Sequence, residues 1–171
     1  KNPDRLKLSM AILATMRGIP QIFSGDEMMF TSKDLSQGHG GLRVDFPGGW
    51  EDDPVNLFDP AQRNALQTDL FDYTQRLFQW RKSKPVIHNG RTMHFLSRDN
   101  TYAYFRYDDT DAVFVFINNS RGSKQVPWAH YAEITAGLGE GREILTGKAV
   151  QVGDATAVGP RQALIVEFER N

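Results

Sequence analysis

The 171-residue chain contains no cysteine. Disulfides, thiol nucleophiles and thiolate metal sites are therefore excluded, and the redox compartment is left undetermined. Long apolar runs are missing too: none approaches the roughly 20 residues that a helix needs to cross a bilayer. Charge of one sign is also absent, because 20 Lys and Arg face 21 Asp and Glu for a formal net charge of -1. That balance offers no basic stripe to nucleic acid and no polybasic patch to an anionic membrane, so a neutral or weakly charged ligand fits best. What is present is 40% apolar and 24% charged residues, the profile of a globular chain with a real core. Aromatic residues reach 11%, with 11 Phe, 5 Tyr and 3 Trp. They suit sugar stacking and core packing equally. The opening Lys1-Asn2-Pro3-Asp4, without an initiator Met or a signal-peptide stretch, reads as the start of a segment cut from something longer.

Asn2 as N-cap, Pro3 at the first helical position and Asp4 at the positive end of the dipole predict a helix, with Leu6, Met10, Leu13 and Ala14 on one face and Gly18 as its stop. Gln21-Ile22-Phe23-Ser24 then reads as a short buried strand bounded by Gly25. Asp26 and Glu27 follow at the end of that strand, the edge where α/β folds gather binding groups. From Met28 to Asp59 periodicity gives way to Gly, Pro, Asp and single aromatics, which predicts a long functional or disordered loop. Asp59-Pro60 repeats the cap-plus-proline signal ahead of a second helix carrying Leu66, Leu70, Tyr73, Leu77 and Trp80, and Pro85 ends it. After Gly90 the period becomes strand-like at 91–97, 102–107, 112–118, 143–146 and 162–168, with turn-formers between. Val113-Phe114-Val115-Phe116-Ile117, apolar on both faces, is the expected central strand, and Val126-Pro127 an edge or exit.

Arg17-Gly18-Ile19-Pro20-Gln21-Ile22-Phe23-Ser24-Gly25-Asp26-Glu27-Met28 resembles the segment around the eighth barrel strand of the α-amylase family, glycoside hydrolase family thirteen. Order supports it. Asp4-Arg5-Leu6-Lys7 looks like part of that family's seventh barrel helix, and Phe78-Gln79-Trp80-Arg81-Lys82-Ser83-Lys84-Pro85-Val86 resembles the end of its eighth. The loop Gly38-His39-Gly40-Gly41-Leu42-Arg43-Val44-Asp45-Phe46-Pro47-Gly48-Gly49-Trp50 is similar to the neopullulanase and cyclomaltodextrinase branch. The resemblance implies an α+β fragment: residues 1–90 as the last α/β portion of a (β/α)8 barrel, and residues 91–171 as an antiparallel β-sandwich C-terminal domain. It implies a parent, bacterial and periplasmic or cytoplasmic, that hydrolyses α-1,4-glucosidic bonds in pullulan, cyclodextrins or starch oligosaccharides with retention. The family's two catalytic carboxylates and its third, stabilising Asp follow strands four, five and seven. This chain starts after all three, so no catalytic residue is assigned and the fragment alone is expected to be inactive. No cofactor is expected. The expected partners are an α-glucan oligosaccharide and the missing N-terminal part of the barrel. Without seven of its eight strands, the barrel end should self-associate, dock on the sandwich or be poorly ordered.

Four residues are the substrate-binding candidates: Arg43, Asp45, Asp26 and Trp50. Arg43 and Asp45 resemble the polar pair that family members place beside sugar subsites, where a guanidinium fork and a carboxylate grip vicinal hydroxyls. A surface ion pair organising a Gly-rich loop is the plainer alternative. Phe46-Pro47-Gly48-Gly49 lengthens the run before Trp50 beyond the commoner family pattern. Asp26 either faces the sugar or accepts loop hydrogen bonds, and Glu27 reads as the structural carboxylate of the two. Trp50 is either a stacking platform or, as favoured here, a loop anchor beneath the barrel rim. Trp80 and Trp128 read as packing residues. His39, His88, His94 and His130 lack ligand spacing, so no zinc is expected, although His39 could donate to a sugar hydroxyl. Asp108-Asp109-Thr110-Asp111 reads as an acidic hairpin turn rather than a calcium loop. Asn118-Asn119-Ser120 fits a glycosylation acceptor at chance frequency. The competing function is a non-catalytic module whose sandwich holds oligosaccharide on Tyr102, Tyr104, Tyr107 or Trp128, or a structural domain with no ligand.

Overall fold

Asn2 opens the first helix as its side chain suggests. In the computed structural model, which describes residues 2–31, 36 and 38–170, Asn2 Oδ1 accepts hydrogen bonds from Asp4 N at 2.9 Å and Arg5 N at 3.3 Å. Helix α1 spans Pro3–Thr15 and ends before Gly18, with Met16 N still donating to Ile12 O. Its buried side is Leu8, Met10, Ala11, Ala14 and Thr15, rotated from the expected stripe, since Leu6 and Leu13 are only half-buried. The expected strand at Gln21–Ser24 does not form. These residues have no hydrogen-bonded strand neighbour among those described, and Phe23 is left exposed. A strand is defined by its neighbours, so an apolar run without them stays irregular.

After a 3-10 turn at Asp26–Met28, no helix or strand is found among the described residues until Pro60. Asp59 does cap, but only the short turn Pro60–Gln62, through Asp59 Oδ1 and Ala61 N at 2.9 Å. The long helix α2, Ala65–Lys82, is started instead by a reciprocal capping box: Gln67 N donates to Asn64 Oδ1 at 3.0 Å and Asn64 N to Gln67 Oε1 at 2.9 Å. Leu70, Tyr73 and Leu77 are buried along it. Pro85 does not merely follow its end; it takes the first position of a further short helix, α3, Pro85–Asn89.

The remaining chain is mostly strand: β1 Arg91–His94, β2 Thr101–Tyr107, β3 Asp111–Asn118, β4 Lys124–Gln125, β5 Glu140–Glu143, β6 Ala149–Gln151, β7 Ala157–Val158 and β8 Gln162–Glu169. Helix α4, Ala132–Thr135, lies between β4 and β5 after a 3-10 turn at Trp128–Tyr131. The main sheet has the order β1-β2-β3-β8-β5-β6 and every pairing in it is antiparallel. β3 is central and buried from Ala112 to Asn118, as its two-sided apolar pattern predicts. The strand expected at 143–146 lies earlier. Glu143 ends it by turning its carboxylate onto Leu145 N at 3.0 Å and Thr146 N at 2.6 Å, and Gly147 closes the turn at φ 72°.

Instead of a second broad sheet, β4 and β7 form a two-stranded ribbon. Val126, Trp128, Tyr131, Ile134 and Leu138, which lie in or beside the two helical turns, fill the core against Phe105, Phe114, Phe116, Val166 and Phe168. The opposite sheet face carries Tyr104 and Arg106, and helices cover it. Thr15 Oγ1 lies 2.5 Å from Tyr104 Oη, and Arg106 Nη2 donates to Ile87 O at 2.9 Å. Docking on the sheet is thus the outcome that α1 adopts. By packing, the chain forms two compact units: Gln21–Gln75, and Asn2–Pro20 together with Arg76–Asn171.

Candidate functional site

In the unit Gln21–Gln75, Gly25 organises the turn that presents Asp26. Its φ of 93° is the left-handed region that favours glycine, and a Cβ there would stand 2.2 Å from the Phe30 ring. Gly25 O accepts from Met28 N at 3.1 Å and Phe30 N at 3.0 Å, while Gly25 N donates to Glu27 Oε2 at 3.0 Å. Glu27 is thereby committed to holding its own turn. Asp26 is exposed and lines a cavity of about 280 Å³ with Phe23, Ser24, Phe30, Leu42 and Val44. Beyond it, Phe30, Phe46 and Phe58 stack in sequence at 5.3 and 4.6 Å. Gly48, at φ 111°, lies so close to Asn56 that a Cβ would meet its backbone Cα at 2.8 Å.

The loop therefore has an internal framework of rings and glycines, and the candidate ligand groups hang from it. Arg43 and Asp45 are exposed and form no ion pair with each other among the described residues. They flank Leu42 and Val44 in sequence but do not line the cavity of Asp26. Trp50 is 82% exposed and, among the described residues, is held through its backbone, its N donating to Asp53 Oδ2 at 3.1 Å and its O accepting from Asp53 N at 3.3 Å. So Asp26 has a concave site, whereas Arg43, Asp45 and Trp50 stand outside it. His39 is exposed as well.

Within the other unit, the charged groups that matter are structural, and their side-chain roles were not identified from sequence. Arg81 is buried at the end of α1, where Nη1 donates to Ala14 O at 2.7 Å and Nη2 to Gly18 O at 2.9 Å. A cation bonded to orphan carbonyls at a helix C-terminus is favoured by both hydrogen bonding and the dipole. His88 Nε2 lies 2.9 Å from Arg81 O, giving that histidine a structural role. Arg106 is fully buried, bonded to Thr92 Oγ1 and Ile87 O, with Nε unpartnered among the described residues. Burial, then the charges of Arg17 and Arg81, pull its pKa below the ordinary guanidinium value.

Glu167 ties the end of α2 to the sheet. It accepts from Trp80 Nε1 at 3.1 Å, pairs with Lys84 Nζ at 2.5 Å and takes Arg142 Nη2 at 2.8 Å. Burial pushes the Glu167 carboxyl up, but the bonds from Lys84, Arg142 and Trp80 outweigh it and hold the pKa below the usual glutamate range. A carboxylate depressed in the folded state contributes stability above its unfolded pKa of about 4.3 and loses it as pH falls through the lower folded value. Glu167→Gln is therefore expected to lower Tm near neutral pH, with the gap to the native chain closing as pH falls through the depressed folded value. Thermal scans at several pH values check this.

The aromatic platforms of the alternative reading are mostly committed. Tyr104 and Trp128 are buried, and Trp128 Nε1 donates to Asp154 O at 3.0 Å. Asn118 is buried with Nδ2 donating to the carbonyls of Gly122, Val158 and Gly159, so it is unavailable as a glycan acceptor. Asp108 Oδ1 accepts from Thr110 N at 2.9 Å and Asp111 N at 2.8 Å, which makes 108–111 a hairpin turn closed by its own side chain. His94 Nδ1 lies 2.5 Å from Tyr102 Oη. No helix among the described residues is long and apolar enough to cross a membrane.

The antiparallel sheet domain is of the kind that amylase-type enzymes carry. The fold matches that of AmyP in complex with maltose at a TM-score of 0.71 and 18% identity, covering 96% of this chain and 34% of that one. Residues 92–167 match the cyclo-malto-dextrinase C-terminal domain and belong to that family. In sequence the chain is similar to a β/α-amylase of Paenibacillus polymyxa, 32% identical over 70% of this chain and 8% of that protein. It is also 26% identical to a cyclomaltodextrin glucanotransferase of Geobacillus stearothermophilus, over 92% of this chain and 20% of that one. The chain thus spans a small part of the curated relatives it matches.

Proposed function

We propose that this chain is the C-terminal part of an α-glucan hydrolase of the α-amylase type, close to neopullulanases and cyclomaltodextrinases. Residues 1–90 complete the catalytic barrel and its substrate rim, and residues 91–171 form the C-terminal domain. The observation that carries the reading is Gln21–Ser24: it bears the family's strand motif yet lies irregular, with Phe23 exposed, directly before the Gly25 turn that aims Asp26 into a cavity. A strand supplied with its barrel neighbours would bury that face and bring Asp26, Arg43, Asp45 and Trp50 to the rim. In the intact enzyme Arg43 and Asp45 would grip sugar hydroxyls and Trp50 would pack on the loop or the sugar. Retaining hydrolysis would be carried out by carboxylates outside this chain.

The 171-residue chain alone is expected to release no reducing sugar from pullulan, β-cyclodextrin or soluble starch. Hydrolysis by the purified chain would overturn the assignment of catalysis to residues outside it. In the intact parent, Arg43→Ala is expected to lower kcat/KM on maltooligosaccharides by about tenfold, a loss of roughly 1.4 kcal/mol of binding in the transition state. Unchanged kinetics would remove Arg43 from the subsite.

A further inference from the structure

Arg63 stands immediately before Asn64, the cap of α2, where a cation has the sign that the helix dipole disfavours. Steadying the helix end does not account for it. Its Cζ lies 4.0 Å from the centre of the Phe71 ring, on the second turn of α2, a cation–π contact that orients the plane of the guanidinium. From that seat Nε donates to Leu57 O at 2.8 Å and Nη2 to Phe58 O at 3.3 Å. Both acceptors are backbone carbonyls, so Arg63 holds the course of the loop rather than one of its side chains.

The hold passes outward from Leu57 and Phe58 in two directions. Leu57 is buried, and its N donates at 2.9 Å to the carbonyl of Pro47, which follows Asp45 by two positions. The Phe58 ring packs on Phe46 at 4.6 Å and Phe46 on Phe30 at 5.3 Å, which reaches the Gly25 turn. Beside them Asn56 N donates to Gln62 Oε1 at 2.7 Å, and Gly48 fits against Asn56 without room for a Cβ. Arg43, Asp45 and Trp50 are exposed, so their places follow from this backbone rather than from packing of their own side chains. Arg63 fastens that backbone to a helix.

We propose that Arg63 is a positioning residue for the substrate rim: through the backbone at 57–58 and at 47 it sets where Arg43, Asp45 and Trp50 stand, without touching the sugar itself. The inference rests on the reading of those three as sugar-contacting groups. Groups that grip the sugar away from the reacting bond act on ground and transition states alike, so losing their placement raises KM and spares kcat. In the intact parent, Arg63→Ala is expected to raise KM for maltooligosaccharides about fivefold and to change kcat by less than about twofold. Arg63→Lys should restore little, because an ammonium neither lies flat on Phe71 nor spans two carbonyls. Phe71→Leu keeps bulk but removes the ring face, and it should shift KM in the same direction by a smaller factor. A double-mutant cycle gives a readout that lost stability alone does not move: Arg43→Ala, about tenfold by itself, should cost only about twofold in the Arg63→Ala background. In the 15N-labelled 171-residue chain, relaxation measurements on Arg63→Ala should show looser amides at 43–50 and 57–58 and unchanged ones in β3. Amides that stay rigid, or an Arg43→Ala loss that is costly yet additive, would overturn the proposal. Arg43→Ala that is silent by itself overturns the subsite reading and this inference with it, so the two failures are told apart by that single variant.

Discussion

Arg81→Ala is expected to destabilise the β-rich unit by about 3 kcal/mol, enough to lower its Tm by roughly 10 °C or more. The guanidinium is buried and satisfies the carbonyls of Ala14 and Gly18, which have no other partner in the helix ladder. Alanine would leave those acceptors in a space that it cannot fill and that water enters poorly. Hydrogen bonds to a charged group are each worth about 1.5 to 3 kcal/mol, and an unsatisfied buried acceptor carries the full desolvation cost. Lysine keeps the charge but reaches only one carbonyl well, so Arg81→Lys should recover part of the loss and not all of it. Chemical or thermal denaturation of the three proteins under one buffer measures this. Equal stability of the alanine variant would show that Arg81 is not what holds the end of α1.

Phe114→Ala should cost more, about 4 kcal/mol. Phe114 is fully buried at the centre of β3, and its ring lies 4.8 Å from Phe105, 4.9 Å from Trp128 and 5.3 Å from Tyr131. Removing it opens a cavity where the sheet and the ribbon layer meet, lined by rings too large to close inward. The neighbouring Val115 points to the opposite face, so Val115→Ala, a smaller deletion under the helices, should cost about half as much. The ratio of the two losses reports which face of the sheet carries more of the domain's stability. The tryptophan bands of the near-UV circular dichroism spectrum should change for Phe114→Ala and not for Val115→Ala, because only the first disturbs the Trp128 environment.

Legibility in the sequence followed the range of the interaction. Asn2 as a cap, the doubly apolar β3 and the hairpin turn at Asp108 are local patterns, and each is read from a few consecutive residues. Asp59-Pro60 is an instructive miss. Its cap chemistry is real, but Arg63 N bonds to Pro60 O and the chain turns out again before Asn64 starts α2. Asn64-Ala65-Leu66-Gln67 carries the capping-box pattern and was the signal to follow. The 143–146 segment was misplaced because side-chain capping by Glu143 competes with β propensity, and no periodicity reports that competition. Arg81 and Glu167 were hidden for another reason: their partners lie 67 and 87 positions away in the chain. A charged residue at Glu167, inside the otherwise apolar run from Ala163 to Phe168, was the visible hint of a paired site.

The candidate rim was legible as composition more than as geometry. Glycines and single aromatics between Met28 and Asp59 indicate a structured irregular loop, and the Phe30–Phe46–Phe58 stack supplies its frame. Which polar groups share a cavity could not be read from spacing, since Asp26 meets Leu42 and Val44 while Arg43 and Asp45, next to them, do not line it.

The clasp at Arg81 joins two stretches of chain that leave and re-enter the same unit, with Pro20 on one side and Arg76 on the other. The segment between Gln21 and Gln75 therefore leaves that unit after Pro20 and returns to it at Arg76. Evolution could lengthen, shorten or retune the excursion without rethreading the sheet, because the doorway through which it passes is already latched by a side chain and three backbone carbonyls.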